Sequence, residues 1–387
     1  MKELLQLIMA FCSRCALRLC LPFLKIKTDR VLFQSYREKK YACNPRYICE
    51  ALMDLCPNGV EVAWSFREPE RFSFLKERGI RVLKAGSWEA IRYALTAKVV
   101  CVNTYYKPTL PRRKGQVQLR TWHGGGAYKK VAEMEQLSAL KRLSIRTQLS
   151  GATLYLSSSR AFTEQTIRAS FGYRGEVLEI GMPRNDMLIN GVGEEKAEEI
   201  RASVGLKEGQ RFALYAPTYR DDLKADGHGL DCARLKSALE KRFGGEWALA
   251  YRGHVFVKGG DVPLTDLSDY EDMQPLLAVA DVLITDYSSS MWDMSLRFKP
   301  VFLYCPDLDT YDAGRGFYTP VGTWPYPLAR DNGSLERNIL NFDEDDYVRR
   351  VQAHHAALGI CESGKASRLA AERILAETKV KSAGNVL

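Results

Sequence analysis

Short runs of Val, Ile, Leu and Tyr alternate with helix-length segments along most of this chain. A first series reads VLFQS (31–35), VEVAWSF (60–66), IRVL (80–83), KVVCVN (98–103), VQLRT (117–121), TLYLS (153–157) and VLEIG (177–181). A second reads RFALYAPT (211–218), WALAYRGH (247–254), DVLITD (281–286) and PVFLYC (300–305). Apolar runs of this length, spaced by room for a helix, specify parallel strands covered on both faces. Two series specify an α/β protein of two Rossmann-like, doubly wound domains, for which 387 residues suffice. The expected division is an amphipathic helix at 1–27, an N-terminal domain at 28–190 and a C-terminal domain at 191–387, with the polar stretch 191–207 at the junction. The last helical pattern, 366–378, could close the second domain or cross back to the first; periodicity does not decide.

The formal net charge of +9 is unevenly spread. Residues 1–46 hold ten Lys/Arg against three acids, and residues 109–150 hold nine against two, so each segment carries +7 and the rest −5. No finger, helix-turn-helix or RNA-binding signature accompanies these patches, which argues against nucleic acid. At about 100° per residue, Leu4, Leu5, Ile8, Met9, Phe11, Cys12, Cys15, Ala16 and Leu19 share one half of a helix that Pro22 ends, with Leu7 and Leu17 as strays. This helix either packs on its own domain or lies in a membrane interface, its basic residues facing anionic headgroups. A signal peptide fits poorly, because Arg14 and Arg18 interrupt the apolar region. No stretch of 18 or more residues is both apolar and uncharged, so a spanning helix is not expected. Ten irregularly spaced cysteines read as reduced residues of an intracellular protein rather than a disulfide framework.

Open parallel sheets bind ligands beyond the carboxyl ends of their strands, so motifs that follow strands carry the most weight. VQLRT runs into Trp122, His123, Gly124, Gly125 and Gly126. The glycines let backbone approach a ligand, and a histidine there has the titration range of a general base; a structural turn is the alternative. WALAYRGH delivers Arg252 and His254 to another strand end. DVLITD ends in Asp286, Tyr287, Ser288, Ser289 and Ser290, hydroxyls that either cap the next helix or meet a phosphate at its start. Arg184 and Arg220, in PRND and TYRD, suit phosphate contact or ion pairs with neighbouring Asp. Asp307 and Asp309 form an Asp-x-Asp triplet too common to assign a metal, and no metal or other cofactor is expected.

Taken in order, these motifs resemble one family, the CDP-glycerol:poly(glycerophosphate) glycerophosphotransferases. The matching segments are TWHGGGAYKK, YLSSSRAFTEQTIRASFGYRGEVLEIGMPRND, ALYAPTYRDD, YRGH, VLITDYSSSMWDMSLRFKPVFLY and GRGFYTPVG, which together cover roughly residues 117–325. The resemblance implies a glycosyltransferase B type fold, two Rossmann-like domains facing a cleft, with the CDP-activated donor held by the C-terminal one. It implies a peripheral enzyme on the cytoplasmic face of the membrane, because the acceptor hangs from an undecaprenyl lipid. By position, His123 matches the family's first essential histidine, a base for the acceptor hydroxyl, and His254 the second, at the donor pyrophosphate. Ser288 and Ser289 match its phosphate segment, and Arg315, Gly316 and Phe317 its Arg-Gly-Phe segment near the donor. Arg184, Thr218, Arg220, Arg252 and Asp286 complete the expected donor side, and Gly124, Gly125 and Gly126 the acceptor-side loop. The family usually reads His-Gly-Thr-Pro where this chain has His123-Gly124-Gly125-Gly126, and Pro where it has Val255.

The expected reaction is attack of an acceptor hydroxyl on the β-phosphate of CDP-glycerol, releasing CMP. CDP-ribitol is an alternative donor. A nucleotide-sugar glycosyltransferase of the same fold and a catalytically silent assembly scaffold are the competing classes. The length favours a primase-like role over polymerisation.

Overall fold

Every one of the eleven apolar runs is a strand in the computed structural model, which describes residues 2–105, 109–132, 138–149, 151–218, 229–253, 264–314 and 316–378. In the first series these are β1 (Lys27–Gln34), β2 (Glu61–Phe66), β3 (Arg81–Lys84), β4 (Ala97–Val102), β5 (Val117–Arg120), β6 (Leu154–Leu156) and β7 (Glu176–Leu178). The second comprises β8 (Arg211–Tyr215), β9 (Trp247–Tyr251), β10 (Leu264–Asp266), β11 (Val282–Thr285), β12 (Val301–Tyr304) and β13 (Leu328–Ala329). Strands β10 and β13 were not expected. At three and two residues they are sheet edges too short to carry a pattern.

Both sheets are parallel, in the orders β3-β2-β1-β4-β5-β6-β7 and β10-β9-β8-β11-β12-β13. In each, the strand order reverses between the first strand and the fourth, at β1/β4 and at β8/β11. That reversal opens a crevice beyond the carboxyl ends of the two central strands. Burial accounts for the composition: β4 and β11 are covered almost throughout, as helices on both faces require. In the first sheet Trp64 stacks between Phe33 and Phe66, with ring centroids 5.6 Å from each.

The chain forms two compact units: 1–123, 131–186 and 361–387 make the first, and 124–130 with 187–360 make the second. The terminal helix Ala366–Thr378 lies in the first unit, packed on helix Cys43–Leu55. Asp186 fastens its start, accepting from the backbone N–H groups of Ala366 and Ser367 at 3.0 and 2.7 Å. The glycine-rich segment belongs to the second unit, where Lys129 and Phe317 form an antiparallel bridge.

The N-terminal helix spans Lys2–Cys20 and ends at a 3₁₀ turn, Leu21–Phe23, that holds Pro22. The stray Leu17 packs against the first unit's core and Ala10 beside it is buried. Leu5, Ile8, Met9, Phe11 and Leu19, the apolar half, face outward, and Phe23 is 86% exposed. None of the described helices is long and apolar enough to cross a membrane.

Candidate functional site

In the first unit, His123 follows β5 at the crevice side of β4. Its Nδ1 lies 2.9 Å from the backbone carbonyl of Asn103, the residue after β4. A carbonyl only accepts, so Nδ1 carries the proton and the neutral ring has its lone pair on Nε2. Asn103 is itself fixed: its Oδ1 accepts from Tyr36 N–H at 2.8 Å and its Nδ2 donates to Ser35 Oγ at 3.3 Å. Ser35 and Tyr36 follow β1, so the histidine is referenced to both strands of the switch point. Tyr36, Arg37 and Glu38 run consecutively at positive φ (45°, 55° and 67°), a left-handed stretch without glycine. Such backbone persists only where its surroundings over-determine it.

The histidine's own turn is equally constrained. Trp122 has φ 54°, and its ring lies 4.5 Å from the imidazole and 4.8 Å from Phe171. Arg184 is buried here rather than open to a phosphate, and its Nη1 donates to the His123 carbonyl at 2.6 Å. Glu362 secures the segment that carries Arg184, accepting from Met182 N–H and Asn185 Nδ2, both at 2.9 Å. Asn44, fully buried in helix Cys43–Leu55, donates to the carbonyls of Thr121 and Trp122. Sequence reasoning passed over Asn44 and Asn103. An Asn beside Pro45 reads as a helix start, and its partners lie some eighty positions away.

In the second unit, Thr218 after β8 and Asp286 after β11 meet at the switch point. Asp286 is 1% exposed, and its Oδ1 accepts from Thr218 N–H (2.8 Å), Thr218 Oγ1 (2.6 Å) and Tyr287 N–H (2.5 Å). It organises the loop from beneath. Ser288 and Ser289 are half-buried above it, and Ser290 Oγ donates to Ser288 Oγ at 3.0 Å. The helix they precede, Ser290–Ser295, has only six residues; Ser289 makes no side-chain cap, while Ser288 Oγ accepts from Ser290 N–H at 3.4 Å, so serving the helix start accounts for one of the serines. Beside them Tyr287 stacks on Tyr311 at 4.2 Å and packs at 5.2 Å from Phe317, which follows Gly316. Tyr287 OH donates to Asp307, while Asp309 pairs with Arg330. The guanidinium of Arg252 donates to Tyr270 O at 3.1 Å and reaches Met273 Sδ at 3.4 Å, holding the loop after β9. His254, Arg220 and Arg315 lie outside the described residues.

The glycine run has a packing cause. A Cβ on Gly125 would sit 2.5 Å from Trp292 Cδ1, and one on Gly126 (φ 77°) would sit 2.3 Å from Tyr128 Cε2. These two glycines seat the segment on the Trp292 indole; Gly124 precedes them, half-buried. Behind lie two further histidines. Tyr128 OH is 3.0 Å from His354 Nε2, and Ser295 Oγ is 2.8 Å from His355 Nε2. Burial pushes both imidazoles down to about 4, His354 adding to the effect on His355. They stay neutral at pH 7 and belong to the loop's foundation.

The model of the family described as CDP-glycerol:poly(glycerophosphate) glycerophosphotransferase matches residues 15–376. The chain belongs to this family. It is 28% identical over 379 residues to the teichoic acid poly(glycerol phosphate) polymerase of Staphylococcus epidermidis, covering 92% of this chain and 51% of that protein. It is also 28% identical over 376 residues to the teichoic acid ribitol-phosphate primase of Bacillus spizizenii, covering 93% and 94%. The chain thus spans about half the length of the S. epidermidis polymerase and of a Bacillus subtilis one (48%), but nearly all of the primase. Among solved structures, a variant of the wall teichoic acid polymerase TagF superimposes with a TM-score of 0.80 at 27% identity, covering 92% of this chain and 90% of that one. For this glycerophosphotransferase family member, the two parallel sheets of the glycosyltransferase B type are the observed fold.

Proposed function

We propose that this chain transfers glycerol phosphate from CDP-glycerol to a hydroxyl of a lipid-linked teichoic-acid or related cell-surface polymer acceptor, releasing CMP. The observation that carries the reading is the His123 ring, whose Nδ1–H is committed to Asn103 O so that Nε2 is the proton acceptor. The acceptor oxygen attacks the β-phosphorus, the bond from that phosphorus to the bridging oxygen breaks, and CMP leaves. The hydroxyl proton passes to His123 Nε2. In the second unit the Ser288 and Ser289 hydroxyls, in the loop that Asp286 ties to Thr218, are donors suited to phosphoryl oxygens, and His254 is assigned to the same role by its match to the family's second histidine. Family membership and TagF variants soaked with CDPG support the donor class.

CDP-ribitol is a second reading, favoured by the near full-length match to the ribitol-phosphate primase. Purified protein is incubated with CDP-glycerol, CDP-ribitol or UDP-sugars and a lipid-disaccharide analogue, and released nucleotide is identified. CMP from CDP-glycerol is the expected product. CMP from CDP-ribitol alone selects the second reading, UDP selects a glycosyltransferase, and no release from any donor rejects transfer in favour of a scaffold.

The same reading places the chain peripherally on the cytoplasmic face of the membrane. Its support is the outward apolar half of helix Lys2–Cys20, flanked by Arg14, Arg18 and Lys25. Deleting residues 1–21 should weaken binding to anionic vesicles, and added salt should weaken binding of the intact chain. Equal binding by the deletion would remove the helix from the account.

A further inference from the structure

We infer that Asn44 is a positioning residue for His123, holding the turn that aims the imidazole. The inference rests on the reading of His123 as the base for the acceptor hydroxyl. Asn44 is 0% exposed, and its one carboxamide serves both ends of the arrangement. Nδ2 donates to the carbonyls of Thr121 at 3.2 Å and Trp122 at 3.1 Å. Oδ1 accepts from Arg184 N–H at 3.1 Å, and Arg184 Nη1 donates to the His123 carbonyl at 2.6 Å. The carbonyls of three consecutive residues, 121–123, are therefore held by the side chains of two residues, and the backbone N–H of one of them, Arg184, is bonded to the carboxamide of the other. Between them Trp122 keeps a left-handed φ that a non-glycine residue adopts only under such constraint.

The chemistry specifies an amide. Two donors on one atom and an acceptor on the other are what a carboxamide provides, and Asn has the short stem. A carboxylate has the same shape but sets an oxygen against the two carbonyls. Asn44→Asp is thus a change of donor capacity at nearly constant volume. A base displaced by about 1 Å loses on the order of a hundredfold in rate.

The test compares the full chain with Asn44→Asp by kinetics and by ¹⁵N spectra of histidine-labelled protein, the His123 signals being those lost in His123→Ala. The wild type should show His123 as the single Nδ1–H tautomer. In Asn44→Asp those two nitrogen signals should move toward a mixture of tautomers, while the other four histidines keep theirs. Turnover of CDP-glycerol should fall by about tenfold or more with KM for that donor within about twofold. Asn44→Ser, with one donor and one acceptor, carries the same comparison if Asn44→Asp does not fold. Unchanged His123 signals and turnover in a folded variant would overturn the inference. So would all five histidines shifting together, or failure of both variants to fold, since Asn44 would then serve the whole domain. If the wild type releases no CMP from CDP-glycerol, the transferase reading falls, while the ¹⁵N comparison still decides whether Asn44 sets His123.

Discussion

The two units share one strand plan and differ in how they finish their switch points. In the first, amide and guanidinium groups close on backbone carbonyls: Asn44 and Arg184 on residues 121–123, and Asn103 between Ser35 and His123. In the second, carboxylates close on hydroxyl and N–H donors: Asp286 on Thr218 and Tyr287, and Asp307 on Tyr287 OH. Carbonyls saturated by amides leave one imidazole as the basic group at the first site. At the second, Asp286 and Asp307 take up the Thr218 and Tyr287 donors, and the half-buried Ser288 and Ser289 follow in the same loop. Under the proposed function, the first of these sites removes a proton and the second receives phosphoryl oxygens.

Four perturbations break or sharpen this contrast. The largest effect is expected of His254→Ala, which should lower turnover by on the order of a hundredfold with weakened donor binding, because the second unit is read as the phosphate side. Next, Asp286→Ala should raise KM for CDP-glycerol and cost about 1–3 kcal/mol by stranding three donors. Asp286→Asn, which keeps an acceptor oxygen, should recover most of that in chemical denaturation. Equal behaviour of the two substitutions would show that acceptor chemistry is not what organises the second site. Gly126→Ala should destabilise by a similar or smaller amount, about 1–3 kcal/mol, through overpacking against Tyr128 and Trp292. Thermal unfolding unchanged in that variant would refute the packing explanation of the glycine run.

The last perturbation, silent at neutral pH, is a pH dependence confined to the second unit. His354 and His355 have folded-state values near 4 against 6.5 for the free side chain. The unfolded chain therefore binds more protons than the folded one between these limits, and stability is retained above pH 6.5 and lost as pH falls toward 4. A denaturation series should show that loss, and His355→Phe should reduce it. An identical profile in the variant would exclude His355 as its origin.

Much of the fold was legible because buried parallel strands leave a local signature. VLFQS, KVVCVN and DVLITD each carry a continuous apolar run that ends in polar residues at the carboxyl end of its strand. Helix Lys2–Cys20 was legible in its amphipathicity but not in its orientation. Leu17, a stray in the sequence pattern, packs inward while the regular apolar half faces out. Placement was legible at the strand ends: His123, Thr218 and Ser288 follow β5, β8 and β11 as the pattern predicts. It was not legible where long-range packing decides. Gly125 and Gly126 suggested a ligand approach, yet the atoms they make room for belong to Trp292 and Tyr128. Arg184 resembled a phosphate ligand, yet it braces His123 from within. The role of Asn44 carried no local signal, since its acceptors become neighbours only when helix Cys43–Leu55 packs against β1 and the 183–185 turn.

The most direct measurement is the turnover of His123→Ala at saturating CDP-glycerol, with donor affinity measured separately by calorimetry. CMP release slowed by about a hundredfold or more, at an unchanged Kd for CDP-glycerol, is the result expected if this imidazole takes the acceptor proton. Turnover near that of the wild type would contradict the assignment of the base to His123.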